Sequence, residues 1–452
     1  MQPRPDVLEL PRIAGPLNAR IHLPGSKSIA QRALLLAALA DGRSTLHNLS
    51  DADDARRMID CLQRLGVAMP PWPGSESTQS LPDDFAPPRS LTLSGCSGHW
   101  RADEADLHAG ESGAVARFIA AAACLGTGRY RVDGLPGLRA RPMQGLTDAL
   151  AELGAMIGFD DAPGRLPLTI MAHGLRGGLV VLSAPDSSQF VSALLMVAPF
   201  ARQDVFIAVE GPLRSRPYVD MTLRLMDSFG VSAVVDANRF IVPAAQRYVA
   251  QTLTIEPDAS AAACFFALAA LSGGTIATPG LTRDSLQGDI RMIDHLAAMG
   301  CTVSSEADAL AVTGPVGGRL RGIDVDLSDT PDLTPVLAML AVFADGPSRF
   351  CGVPHLRLKE SNRLDSIAHG VRQFGGAVDV EDDGLVVRPA ARPAGAIIDT
   401  FDDHRLAMAF ALASARLDGV VIRNPTCVAK SFPGYWSALR SCADSGRSAA
   451  HS

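Results

Sequence analysis

The chain has 452 residues, 47% hydrophobic and 20% charged, with a formal net charge of −7 and a mean hydropathy of +0.15. At roughly 150 residues per domain its length suggests about three domains. The acidic balance argues against a nucleic-acid-coating protein, and no apolar run approaches the roughly 18 residues of a membrane span.

Only 5% of the residues are aromatic, so the core is expected to be aliphatic and rich in alanine. Eight scattered cysteines with no C-x-x-C pair read as reduced thiols of a cytoplasmic protein, not as disulfides or a zinc site. Met1–Leu23 carries neither a signal-peptide apolar stretch nor an Arg/Ser-rich amphipathic one, so no export or transit signal is expected.

In chain order, Val7–Leu10 and Ala19–Leu23 read as two short strands with no partner nearby. From there an apolar helical run, a turn and a short alternating strand recur six times, starting at Ser28, Gly113, Gln189, Ser260, Asp332 and His404. The first helix of each copy is apolar nearly all round, as in "SIAQRALLLAALADG", and should be buried. Each of the first five copies is followed by an amphipathic helix, among them "ARRMIDCLQRLGV" and "YVDMTLRLMDSFGV", most ending in a glycine stop. Pro70–Ser90 is Pro/Ser-rich and aperiodic, an inserted loop in the first copy.

The sixth copy runs out near Cys442 without a final strand, and the N-terminal stretches can supply it. The expectation is therefore two α/β globules of three units each. Residues 26–252 form the first, 1–25 with 253–442 the second, and 443–452 an unstructured tail. The chain would cross between them near Gly25 and Thr252, a hinge whose cleft is the natural place for a site.

Residues that break the apolar pattern gather where the buried helices begin: "GSKS" (25–28), "ESG" (111–113), "DSSQ" (186–189), "PDAS" (257–260), "PDLT" (331–334) and "DDHR" (402–405). Capping accounts for Asp258 and Ser260. It does not account for Lys27, Arg32, Arg117 or Arg405, because a cation opposes the positive end of the helix dipole. Cations there make sense when an anion sits between them and the free N–H groups. Arg141, Arg216, Lys359, Arg363 and Lys430 lie in loops near the same ends. Two acids share this frame: Asp332 opens the fifth helix and Glu360 follows Lys359. Each alone reads as a cap or a surface charge; together they could accept and donate a proton.

The segments "LPGSKSIAQRALLLAALADG", "DSSQFVSALLM", "SRPYVDMT", "QGDIR", "LKESNRL", "DDHRLAMAFALA" and "VAKSFPGYW", in this order, resemble the enolpyruvyl transferase family over Gly15 to about Tyr435. The likeness is to the branch that acts on shikimate 3-phosphate. It implies a fold of two inside-out α/β barrel domains, each of three βαβαββ units with buried parallel helices, and a monomer using phosphoenolpyruvate and shikimate 3-phosphate. No metal or cofactor is implied.

By the same resemblance, shikimate 3-phosphate falls to Lys27, Ser28, Arg32, Ser187, Ser188, Gln189, Ser215, Arg216 and Tyr218, with Asp332, His355 and Lys359. Phosphoenolpyruvate falls to Lys27, Gly113, Arg141, Gln189, Arg363, His404, Arg405 and Lys430. Asp332 would be the general base, Glu360 the acid, and Lys27 its partner. The family's usual Asn-Ala-Gly-Thr reads Glu111-Ser112-Gly113-Ala114 here, and His355 stands for its usual Asn. Glu111 is expected to cap the second buried helix and pair with Arg117 or another cation.

Three rivals remain. A paralogue acting on another alcohol would keep these residues. The branch acting on UDP-N-acetylglucosamine usually carries a reactive Cys before Ala-Arg-Pro, which "GLPGLRARP" lacks. A non-catalytic anion-binding relative would not need both Asp332 and Glu360.

Overall fold

The structure is a computed structural model that describes residues 7–72, 89–183, 187–306 and 308–449. Most of the predicted Pro/Ser-rich loop and Asp186 lie outside the described residues. The chain forms two units. The N-terminal unit holds residues 25–72 and 89–255, and the C-terminal unit residues 7–24 and 256–449.

The repeat is clearest in the third copy. Strand Gly178–Ser183 leads into the inner helix Ser188–Val197, and strand Val205–Glu210 returns parallel to the first. The outer helix Arg216–Ser228 and the hairpin Val234–Asp236/Arg239–Val242 complete a four-stranded sheet. The other inner helices are Lys27–Leu39, Gly113–Ala123, Ala259–Ser272, Thr334–Ala341 and His404–Ala411. Their apolar, Ala-rich sequences bury nearly all round: in Ala259–Ser272 every residue from Ala261 to Leu271 is at most 4% exposed. Among the described residues no helix is long and apolar enough to cross a membrane.

The first five outer helices stop at a glycine two residues past their last helical residue. Gly66 after Asp53–Arg64 (φ +90°) and Gly230 after Arg216–Ser228 (φ +85°) take the left-handed conformation that ends a helix at little cost to glycine. Several predicted second helices were drawn too long for this reason: after Gly154 the chain is already in strand Met156–Phe159.

Two strands are exchanged in the connectivity. Asn18–Arg20, ahead of the first inner helix, pairs parallel with Thr275–Pro279, which follows the fourth. Thr252–Thr254, ahead of the fourth, pairs parallel with Arg43–Leu49, which follows the first. The passage out of the N-terminal unit therefore falls after Ile255, three residues beyond the predicted one, because Thr252–Thr254 is a strand of that unit. Val7–Leu10 pairs antiparallel with Val420–Arg423 and closes the sixth copy's sheet.

A helix runs into the first seven residues of the stretch expected to be an unstructured tail, and the last three lie outside the described residues. Helix Tyr435–Ala449 is the sixth outer helix, and it buries Tyr435, Trp436, Ala438, Leu439 and Cys442 along one face. Small and polar residues beyond that face hid the pattern.

Candidate active site

In the N-terminal unit the starts of the three inner helices are tied by side chains. Ser26 caps the first helix, its Oγ accepting from the Ile29 N–H. Lys27 Nζ lies 3.3 Å from Asp54 Oδ2, a buried acid in the first turn of outer helix Asp53–Arg64. Gln31 Nε2 donates to Ser112 Oγ at 3.1 Å, and Ser112 caps the second helix. Arg117 Nη1 donates to Gln189 Oε1 of the third at 2.6 Å, with its guanidinium 5.2 Å from the centre of the Phe190 ring.

Gly113 begins the second helix between two guanidinium groups. A Cβ there would stand 3.1 Å from Arg117 Nη1 and 3.4 Å from Arg141 Nη1. A bare backbone between two cations is an arrangement that can receive an anion. Glu111 does not cap this helix, since Ser112 does. Its carboxylate lies against Gly137, 2.9 Å from where a Cβ on that residue would be, in the short helix Pro136–Arg139.

Ser187 caps the third helix and Ser188 is its first residue, 8% exposed. Ser28 is half-buried one turn before Arg32. Ser215 holds φ +57°, the left-handed region, ahead of the outer helix that Arg216 begins. A non-glycine residue kept there is backbone strain of the kind found at binding sites.

Two predicted contacts point elsewhere. Arg216 is turned onto its own helix and the neighbouring hairpin, bonding Asp220 Oδ1 at 2.7 Å and Ala237 O at 2.8 Å. Arg32 is 2% exposed and donates to Thr222 Oγ1 (2.7 Å), Ser28 O (2.9 Å), Tyr218 O (3.2 Å) and Ser192 Oγ (3.3 Å). These uncharged oxygens take four of its five N–H donors, and burial lowers its pKa to about 10. Arg32 joins the first and third inner helices to the outer helix of Tyr218 and Thr222.

The C-terminal unit gathers a denser charge cluster around Arg363, the first residue of outer helix Arg363–Gln373. Its Nη1 meets Asp332 Oδ1 at 2.8 Å, its Nη2 Glu360 Oε2 at 2.7 Å, and its Nε Asp403 Oδ2 at 2.7 Å. Asp332 Oδ2 lies 2.6 Å from Arg405 Nη2, and Glu360 Oε1 lies 2.9 Å from Lys430 Nζ. Asp403, not singled out from sequence, caps the sixth inner helix by accepting from the Arg405 N–H at 3.0 Å. Asp332 sits in the turn Pro331–Leu333, ahead of the helix it was expected to begin, which starts at Thr334.

Burial alone would raise the pKa of Asp332, but Arg405, Arg363 and Lys359 outweigh it and hold the carboxyl well below the usual range. Arg363 is pushed the other way, its burial overcome by Asp403, Glu360 and Asp332. So held, Asp332 is a strong ion-pair partner and a weak proton acceptor.

His404 is fully buried beside Asp403, and His355 is half-buried on the turn Pro354–Leu358 that precedes Lys359. Asp289, in the "QGDIR" segment, was also missed. It is 2% exposed, Ser260 Oγ donates to its Oδ2, and its Oδ1 has no hydrogen-bond partner among the described residues. Burial, with Asp332 nearby, raises it to about 6. Burial also pushes Cys61, Cys124 and Cys264 up to about 12, which leaves these thiols unreactive at neutral pH.

A family model for EPSP synthase (3-phosphoshikimate 1-carboxyvinyltransferase) matches residues 11–439. The chain is 42% identical over 434 residues to a 3-phosphoshikimate 1-carboxyvinyltransferase of Nostoc punctiforme, covering 96% of this chain and 98% of the relative. It is 43% identical over 425 residues to one of Syntrophobacter fumaroxidans, covering 94% and 96%. Among solved structures, an EPSP synthase from Acinetobacter baumannii shares the fold at TM-score 0.78 and 23% identity, over 96% of this chain and 98% of that one.

Proposed function

The chain belongs to the EPSP synthase (3-phosphoshikimate 1-carboxyvinyltransferase) family, and from that premise we propose that its two polar clusters are the machinery of enolpyruvyl transfer. The activity moves the enolpyruvyl group of phosphoenolpyruvate to the 5-hydroxyl of shikimate 3-phosphate and releases phosphate, a step of aromatic amino acid biosynthesis. One observation carries the assignment of parts. Two carboxylates, Asp332 and Glu360, are held on one guanidinium with Arg405 and Lys430 beside them.

In this reading Asp332 takes the proton of the 5-hydroxyl as its oxygen attacks C2 of phosphoenolpyruvate, and Glu360, with Lys27, delivers a proton to C3. The tetrahedral adduct then loses a C3 proton and expels phosphate, leaving the enol ether. Arg363, Arg405, Lys430 and the Arg141–Gly113 cradle hold the carboxylate and phosphate of phosphoenolpyruvate, with preformed cations balancing the charge that develops. Gln189 serves both ligands. Lys27, Ser28, Ser187, Ser188, Ser215 and Tyr218 hold shikimate 3-phosphate, assisted by His355 and Lys359. Arg32 and Arg216 support this pocket through the contacts described above, and His404 supports Asp403 from within. In this reading the chain acts as a monomer in the cytoplasm.

Phosphate release from phosphoenolpyruvate, strictly dependent on added shikimate 3-phosphate, tests the reading. Release without the acceptor, or none with it, would overturn it.

A further inference from the structure

The cations assigned to phosphoenolpyruvate in the C-terminal unit are not waiting for an anion. Arg405 and Lys430 are occupied by the two carboxylates that would move protons. The geometry of the occupation is specific. Asp332 places Oδ1 on Arg363 and Oδ2 on Arg405, while Glu360 places Oε2 on Arg363 and Oε1 on Lys430. Each acid thus has one oxygen on a shared pivot and the other on a separate cation.

The pivot is fixed from behind. Arg363 is 1% exposed and bound through Nε and Nη2 to Asp403, itself 0% exposed, at 2.7 and 3.3 Å. The outer pairs keep some access, with side chains 10% exposed on Arg405 and Lys430, 16% on Asp332 and 13% on Glu360. An incoming anion can therefore reach Arg405 and Lys430 but not the pair behind them.

We propose that Asp332 and Glu360 are place-holders that fill the anion seats of Arg405 and Lys430 until phosphoenolpyruvate displaces them, so that binding of this substrate frees one oxygen of each acid for proton transfer. This rests on the function proposed above. Exchange leaves both carboxylates anchored on Arg363, so the freed oxygens stay in place. It also brings further negative charge beside them, which favours their taking a proton. The Arg405 pairing, the largest of the cation contacts that make Asp332 a weak base, is lifted by the substrate that needs the base, while those of Arg363 and Lys359 remain. The reactive arrangement exists only when there is something to react with.

The test is calorimetric titration of phosphoenolpyruvate alone into the wild-type chain, Asp332→Asn and Glu360→Gln, each checked for native circular dichroism. Removing a place-holder's charge should tighten binding about two- to fivefold, the scale of one partly exposed ion pair, even as turnover falls. Each variant decides its own pair: tighter binding supports exchange at that cation, and unchanged or weaker binding overturns it there. Binding by the wild type with no tightening in either variant overturns the place-holder proposal and leaves the functional reading standing. No binding by any of the three overturns the place-holder proposal, and acceptor-dependent phosphate release then decides the functional reading by itself.

Discussion

Arg363 and Asp403 form a two-bond ion pair sealed from water, Nε to Oδ2 at 2.7 Å and Nη2 to Oδ1 at 3.3 Å, beneath the carboxylates assigned to catalysis. Asp403 also caps the sixth inner helix, so one carboxylate starts a helix and fixes the guanidinium on which Asp332 and Glu360 rest. Asp403→Ala is expected to cost about 3–5 kcal/mol, as removal of one partner from a buried pair does. Asp403→Asn still caps and should cost about 1 kcal/mol less. Denaturant unfolding of the two variants against wild type measures both, and equal losses would show that capping contributes nothing.

Arg32 distinguishes a structural cation from a ligand-binding one. Lysine cannot reach the four oxygens that Arg32 serves, and bonds from a charged donor are worth about 1.5–3 kcal/mol each. Arg32→Lys should therefore lose at least about 3 kcal/mol of stability. An unchanged melting temperature with a raised KM for shikimate 3-phosphate would instead make Arg32 a direct contact.

At Gly113 the same experiment should give the opposite split. Alanine suits a first helical turn, so Gly113→Ala should leave the melting temperature within a degree or so of wild type. The added Cβ would push Arg117 and Arg141 apart by a few tenths of an ångström. The KM for phosphoenolpyruvate should rise several-fold while that for shikimate 3-phosphate stays near its wild-type value. Parallel rises in both would place the cradle elsewhere in the reaction.

Asp289 carries a pH signature. Its carboxyl, held near 6 by burial and by Asp332 against the opposing pull of Arg405 and Ser260, binds a proton more tightly folded than unfolded. Between roughly pH 4, its unfolded value, and pH 6 its contribution to stability falls as pH rises, and above that the ionised group is a standing cost. Asp289→Asn removes the cost and should melt higher than wild type at pH 8, with the gain shrinking at pH 5. A gain independent of pH would mean that the carboxyl does not ionise in the folded chain.

Much of this was legible from local pattern. The inner helices declared themselves because "SAAACFFALAAL" and its counterparts have no polar face to give to water, and the outer helices because glycine stops them. Lys27 and Asp332 stood out as charges where a helix begins and Glu360 as an acid beside Lys359, whereas the role of Gly113 came from the family resemblance alone. Pairings across long separations were not legible. Asp54 reaches Lys27, Asp403 reaches Arg363, and Asp289 reaches Ser260 from segments roughly 30 to 40 residues away, and nothing in the intervening sequence marks the partner. The direction of a long side chain was equally hidden. Arg32 and Arg216 sit near helix starts where a cation should face a ligand, yet one turns inward to hydroxyls and carbonyls and the other onto Asp220. Helix Tyr435–Ala449 was lost because its apolar stripe is short and its far end small and polar.

The exchange of Asn18–Arg20 and Thr252–Thr254 sets an order of assembly. The N-terminal unit has its last strand once Thr254 has left the ribosome, whereas Val7–Leu10 must wait for Val420–Arg423, more than 400 residues further along the chain. One unit can mature while the other is still being made, and Val7–Leu10 lacks its sheet partner until Val420–Arg423 follows. That separation belongs to the order of the segments along the chain and not to the architecture.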